Sequence, residues 1–235
     1  MRPVPGAWAR ARWAIRSCAA VTPRAWPFAV RASQLYEQPL TRQKLQALRA
    51  FLALLEATDH LAGDVVECGV WIGRSLALLS DHLRRRRSPR AIHAFDSFAG
   101  FPAPAAPDYA PGAATRMLHR GYLGDTTEAR VRAKLRRVGM AERVILHPGY
   151  FADTLPAYRP AAVSFVHVDC DLYESTRVCL AELWPRLAPG GIMVLDDWAL
   201  RDFPGARRAI DEWEGAQAVE PLPGSPQAGW VRKPP

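Results

Sequence analysis

Two phosphate-binding signatures are missing from this chain. None of its 16 glycines falls into a G-x-G-x-x-G turn, and no lysine-bearing phosphate loop is present. Both absences count against a nicotinamide enzyme or a nucleoside-triphosphatase. Cysteine is scarce: Cys18, Cys68, Cys170 and Cys179 form no C-x-x-C pair. That pattern favours small buried thiols in a reducing compartment, the cytoplasm, over a disulfide framework or a zinc site. No continuous apolar stretch reaches the length of a signal peptide or a membrane span. Acids are absent before Glu37, whereas Arg2, Arg10, Arg12, Arg16, Arg24 and Arg31 all precede it.

The 235 residues suffice for one α/β domain with a full core plus a short extension, and the net charge of +8 is concentrated in that extension. Residues 1–35 read as a basic arm and 36–235 as the domain. The arm is read as a loosely ordered extension, with peripheral contact to a membrane or an acidic partner as the alternative. The run Arg84 to Arg87 falls where a helix should end, and cations there complement its dipole. Nucleic-acid binding is the weaker reading of that run, because no aromatic stacking pattern accompanies it.

Along the chain, apolar runs alternate with helical patterns. LTRQKLQALRAFLALLEATDHL places Leu45, Leu48, Leu52 and Leu55 on one helix face, suited to the core or to a homo-oligomer contact. DVVECGV is a strand entering a glycine turn and the helix RSLALLSDHL, and AIHAFD is a second strand. The loop from Ser97 to Ala114 is rich in proline and alanine and reads as a lid or substrate wall. TTEARVRAKLRRVGM is a helix capped by Thr126 or Thr127. RVILHPG, PAAVSFVHVD and GIMVLDD are further strands, with ESTRVCLAELWPRL between the last two and GARRAIDEWEG after them. Strands alternating with helices at this spacing predict a doubly wound, mostly parallel sheet flanked by helices.

Two acid pairs, Asp169/Asp171 and Asp196/Asp197, end the two apolar runs AVSFVHV and GIMVL. Ligands in open α/β sheets bind outside the carboxyl ends of strands, so the pairs mark a candidate site. Carboxylates about 4 Å apart repel by roughly 4 kcal/mol at an effective dielectric near 20, so such a cluster must protonate, spread or bind a cation. All-oxygen ligation points to a hard ion, Mg2+ first, with Ca2+ or Mn2+ as alternatives. Glu67 and Asp96 end the first two strands, and an acid in the second position can accept ribose hydroxyls, which suits an adenosyl cofactor without phosphates. Turn and capping roles are the bland alternatives for these two acids.

The segments DVVECGVWIGRS, AFDSFAGFP, PGYFADTLP, HVDCDLYEST, LAPGGIMVLDDW and GARRAIDEW, in this order, resemble the macrocin O-methyltransferase family. That resemblance implies the class I methyltransferase fold, S-adenosylmethionine as cofactor, and methylation of a hydroxyl on a small-molecule acceptor, most often a sugar of a natural product. It also implies a Mg2+ ion on Asp169, Asp196 and Asp197, with Asp171 as general base. Glu67, Gly69 and Ser75 would line the methionine end of the cofactor and Asp96 its ribose. Ser97 and Phe98 would surround the adenosine, with Gly149, Tyr150 and Phe151 near the adenine. Arg74 stands where the family often has glycine, so it either pairs with the cofactor's carboxylate or points to solvent.

Chemically, an aliphatic hydroxyl must lose its proton before it attacks a sulfonium methyl, and an aspartate with a reference pKa of about 3.9 is a poor base unaided. Cation coordination closes that gap by acidifying the bound oxygen. A phenol or catechol acceptor would need less help and remains the rival within enzymes. A non-catalytic scaffold that retains the fold is the rival from another class. His167 reads as a hydrogen-bonded core histidine rather than a catalytic one. His119 reads as either a substrate contact or an ordinary exposed side chain, and Trp198 as a wall for a sugar face or a packing residue against Trp184.

Overall fold

The computed structural model describes residues 26–111, 113–160 and 162–235. Five parallel strands, β1 (Asp64–Cys68), β2 (Ile92–Asp96), β3 (Val144–Pro148), β4 (Val163–Val168) and β5 (Leu187–Leu195), form the centre of one sheet. Strand β7 (Gly229–Arg232) runs antiparallel to β5, and the short β6 (Glu220–Pro221) closes the edge, giving the order β3-β2-β1-β4-β5-β7-β6. The doubly wound, mostly parallel α/β sheet expected from the alternating pattern is therefore present.

Side chains of the central strands alternate between two cores, as a period of two requires. Val65, Phe165, Ile192 and Val194 enter one cluster, while Val66, Cys68, Val166, Val168, Met193 and Leu195 enter the other. The first is covered by α1 (Trp26–Tyr36), α2 (Arg42–Glu56), α3 (Arg74–Arg85) and α4 (Glu128–Val138). The second is covered by the single turn α5 (Phe151–Thr154), α6 (Tyr173–Leu183) and α7 (Pro204–Asp211). Thr41 caps α2 by accepting from the Lys44 amide at 3.1 Å, and Thr127 caps α4 through the Arg130 amide at 3.2 Å. Leu45, Leu48, Leu52 and Leu55 are all buried within the chain, so this face is occupied by the protein's own core.

Helix α1 departs from the expected boundary. Trp26–Tyr36 falls almost wholly inside the stretch read as a basic arm, yet Ala29, Ala32, Leu35 and Tyr36 are buried. A bidentate contact docks it: the Arg31 guanidinium donates to both oxygens of Asp81 on α3, at 2.7 and 3.1 Å. Residues 1–25, with the rest of the expected arm and Cys18, lie outside the described residues. Burial alone would raise the Asp81 carboxyl, but Arg31, Arg85 and Arg84 hold it down at about 2. Because its folded value lies below the ordinary 3.8, its stabilisation is complete above pH 3.8 and is lost as pH falls through about 2. Asp81→Asn should therefore lower stability at neutral pH by about 1–2 kcal/mol, since the guanidiniums are partly exposed, and that deficit should vanish near pH 2. Denaturant unfolding across pH 2–7 would read this, and an equal deficit at both ends would contradict it.

Candidate active site

The sheet order reverses between β1 and β4, because the chain winds outward through β2 and β3 before crossing back. Crevices at such a switch point are where open α/β sheets bind ligands. Here the Asp169 amide donates to the Cys68 carbonyl at 2.9 Å, and a Cβ on Gly69 would lie 1.7 Å from the Asp169 oxygen. With φ at +91°, Gly69 is required by this close approach of two backbones as well as by any ligand. Above the junction opens a cavity of about 550 Å³.

Its acidic floor comes from the loops after β4 and β5. Asp169, Asp171 and Asp196 line the cavity, and Asp197 is buried behind them. Carboxylate oxygens of Asp169, Asp171 and Asp197 lie within 4.8 Å of one another. One oxygen of Asp197 accepts from the amides of Cys170, at 3.2 Å, and Asp171, at 2.8 Å, which holds the 169–171 loop in place. That loop puts Asp171 at φ +60°, sparsely populated for a residue with a side chain. Burial, then repulsion from Asp196, Asp197 and Asp171, drives the Asp169 carboxyl well above the usual range. Asp171 rises likewise through burial, Asp197 and Asp196. Asp197 is pushed up to about 7, mainly by burial and then by Asp196, against the pull of its two amide donors. Three crowded oxygens of this kind fit a hard divalent cation, which would remove the repulsion.

Across the cavity, Gly69, Ser75, Asp96, Ser97, Tyr150 and Phe151 all contribute to the lining. Asp96 already accepts three backbone N–H groups, from Val70 and Trp71 at 2.8 Å each and Phe98 at 2.7 Å. It thus shapes the loop after β1, and an ionised carboxylate with about four lone-pair sites keeps about one for a ligand hydroxyl. The other three expected cofactor positions do not form cavity wall. Phe98, at φ +50°, packs toward the hydrophobic core, and Gly149 donates its amide to the Asp96 carbonyl at 2.9 Å. Glu67 is fully buried, and its acid pairs at 2.9 Å with Nδ1 of His167, which does line the cavity.

His167 is accordingly a hydrogen-bonded core histidine. Burial alone would lower its pKa, but the bond to and charge of Glu67 raise it to about 9. His119 is exposed, with Nδ1 3.1 Å from the Arg120 carbonyl, and is not part of the cavity wall. Trp198 packs beneath the Arg207 guanidinium, 5.3 Å away, and Trp184 meets Trp213 edge-on rather than Trp198. The proline-rich loop does form a wall, through Pro102 and Ala103. It is pinned by buried Asp108, which accepts the Ala105 and Tyr173 amides at 2.7 Å each.

Sequence reasoning missed Tyr36. It is 7% exposed, lines the cavity, and feels the charges of Asp196, Glu67 and Asp169, which with burial drive its phenol upward. The spacing of Ala29, Ala32, Leu35 and Tyr36 was a helical signal that could have found it.

The strand order, the glycine turn from β1 into α3 and the acid ending β2 define the class I S-adenosylmethionine-dependent methyltransferase fold. The solved O-methyltransferase NovP shares it, with a TM-score of 0.72 and 26% identity over 87% of this chain and 95% of that one. Residues 33–223 match the macrocin-O-methyltransferase (TylF) family model, and the chain belongs to that family. It is 36% identical over 164 residues to the 8-demethyl-8-(2,3-dimethoxy-alpha-L-rhamnosyl)-tetracenomycin-C 4'-O-methyltransferase of Streptomyces olivaceus, covering 68% of this chain and 61% of the relative. It is 32% identical over 157 residues to the demethyldecarbamoylnovobiocin O-methyltransferase of Streptomyces niveus, covering 66% and 59%. The chain thus spans about three fifths of the length of these curated relatives. Among the described residues, no helix is long and apolar enough to cross a membrane.

Proposed function

We propose that this protein transfers a methyl group from S-adenosylmethionine to a sugar hydroxyl of a natural-product glycoside, with Mg2+ held by Asp169, Asp196 and Asp197 and Asp171 as general base. The observation that carries this reading is the convergence of Asp169 and Asp197 oxygens, with Asp171 beside them, within 4.8 Å at the switch point; Asp196 is outside that trio but lines the same cavity as Asp169, Gly69 and Asp96. Family membership supports the donor and the reaction class. The relatives' names, with a rhamnosyl acceptor in one of them, support a sugar.

When bound, the ion acidifies an acceptor hydroxyl and offsets the mutual repulsion of the carboxylates. The chain does the rest. Asp171 takes the hydroxyl proton onto a carboxylate oxygen as the oxygen attacks the methyl group. Asp197 keeps that carboxylate in position through the 169–171 loop. Asp96 fixes the loop after β1 and offers its remaining lone pair to the ribose. Phe51, Tyr36 and the wall from Phe101 to Ala103 exclude water, which sharpens every charge interaction inside.

Calorimetric titration of S-adenosylhomocysteine, with and without Mg2+, tests the reading. Wild type should bind, and Asp96→Ala should bind about 10- to 100-fold more weakly through loss of a charged hydrogen-bond acceptor. Asp169→Asn should keep the nucleoside but lose the response to Mg2+. A folded wild type that binds nothing under either condition would overturn the proposal in favour of a non-catalytic scaffold.

A further inference from the structure

We infer that Arg74 anchors the amino-acid carboxylate of the methyl donor, a role particular to this chain's own sequence at the start of α3. The inference rests on the reading of S-adenosylmethionine as cofactor and names one contact within it. Arg74 opens α3, which has no acid in its first turn, so a cation stands where the helix dipole disfavours one. It does not point to solvent: it lines the cavity, and its Nε is buried with no hydrogen-bond partner. A guanidinium on the cavity wall with no acceptor among the described residues is suited to one carried by a ligand.

The guanidinium is held on a rigid platform. It stacks over the Trp71 ring at 5.1 Å from the centroid. Trp71 is itself fixed at φ +44° by three bonds: its indole N–H donates to Asp125 at 2.8 Å, its amide donates to Asp96 at 2.8 Å, and its carbonyl accepts from the Thr126 hydroxyl at 2.8 Å. Stacking fixes the plane of the fork before the ligand arrives, so little entropy is lost on pairing.

Lys134, whose ammonium Arg74 helps to depress, is served by Glu37 at 3.4 Å, and Glu37 is shared with Arg137 at 3.6 Å. Among the described residues no carboxylate pairs with Arg74. A planar carboxylate matches the guanidinium fork in geometry as well as charge. S-adenosylmethionine carries one such group, at the end of the molecule that Gly69 and Ser75 would flank, while a neutral glycoside carries none.

The test compares S-adenosylhomocysteine with 5′-methylthioadenosine, which keeps the nucleoside and thioether but lacks the amino acid, by calorimetry on wild type, Arg74→Gln and Arg74→Lys. Arg74→Gln should weaken S-adenosylhomocysteine by roughly 10- to 100-fold and change methylthioadenosine by less than about twofold, with Arg74→Lys intermediate. Equal losses for both ligands would mean a structural role and overturn the assignment. So would an unchanged affinity for S-adenosylhomocysteine with a raised KM for the acceptor. Wild type binding neither ligand would instead sink the cofactor reading on which the assignment stands. Unfolding of the unliganded variants identifies any that fail to fold, and Arg74→Lys, which retains the charge and the helical residue type, then carries the comparison.

Discussion

Asp171→Asn will lower kcat by roughly 10²- to 10⁴-fold and leave affinity for S-adenosylhomocysteine within about threefold, the range expected when a positioned general base is removed. The choice of asparagine matters, because Asp171 sits at φ +60° and asparagine is the side chain that best tolerates that region. The amide of residue 171 still donates to Asp197, so the loop that shapes the acidic floor keeps its geometry. What disappears is the proton acceptor, together with one negative charge of the acidic floor. In wild type the rate should fall on the acid side as Asp171 takes up its own proton and can no longer accept one. The variant's residual rate should lack that limb. A pH–rate profile on a glycoside acceptor checks both parts, and near-wild-type kcat would move the base to another residue.

The acidic floor was legible because its signal is local. Two apolar runs each end in two acids, and the parallel strands Val163–Val168 and Leu187–Leu195 lie side by side in the sheet, so their ends meet. The face of α2 was equally plain, since Leu45, Leu48, Leu52 and Leu55 repeat at helical spacing and all four are buried. Roles set by long-range contacts were not readable in this way. Glu67 has the position of a cofactor acid, but its partner His167 is 100 residues away, and only the parallel register that pairs Glu67 with His167 on adjacent strands brings them together. Asp96 likewise ends β2 as expected, while two of its three amide donors, Val70 and Trp71, come from a turn whose conformation depends on Gly69 meeting Asp169.

Helix α1 was obscured for another reason. Charge dominates the reading of the first 36 residues, where acids are absent, and an arginine-rich stretch resembles a solvated arm. Arg31, however, finds its counter-charge on α3, in Asp81. Once docked, α1 carries Tyr36 to the cavity, the segment leading into α2 adds Gln38, and the first turn of α2 adds Lys44. One wall of the cavity therefore includes a residue from the part of the chain whose composition least resembles a folded domain.

Removing the carboxylate of Glu67 should be the most damaging single change to the fold near this site. Glu67→Ala is expected to cost about 3–5 kcal/mol, the range for breaking a buried ion pair and stranding its partner. Glu67 and His167 are buried at 0% and 4% exposure, and the ring is covered by Phe51 of α2, with centroids 4.8 Å apart. Without the acid, His167 has two outcomes: lose its proton, or stay charged with no hydrogen-bonded counter-charge and only the fields of Asp169 and Asp196 to offset it. Either loosens the floor from which Asp169 projects two residues further along. Replacing both partners with apolar residues of similar volume, as in Glu67→Leu with His167→Phe, should recover much of that loss, because no buried charge is then left unpaired. Denaturant unfolding of the single and double variants separates the two accounts. A double variant as unstable as Glu67→Ala would mean that the pair itself, and not the stranded charge, supplies the stability.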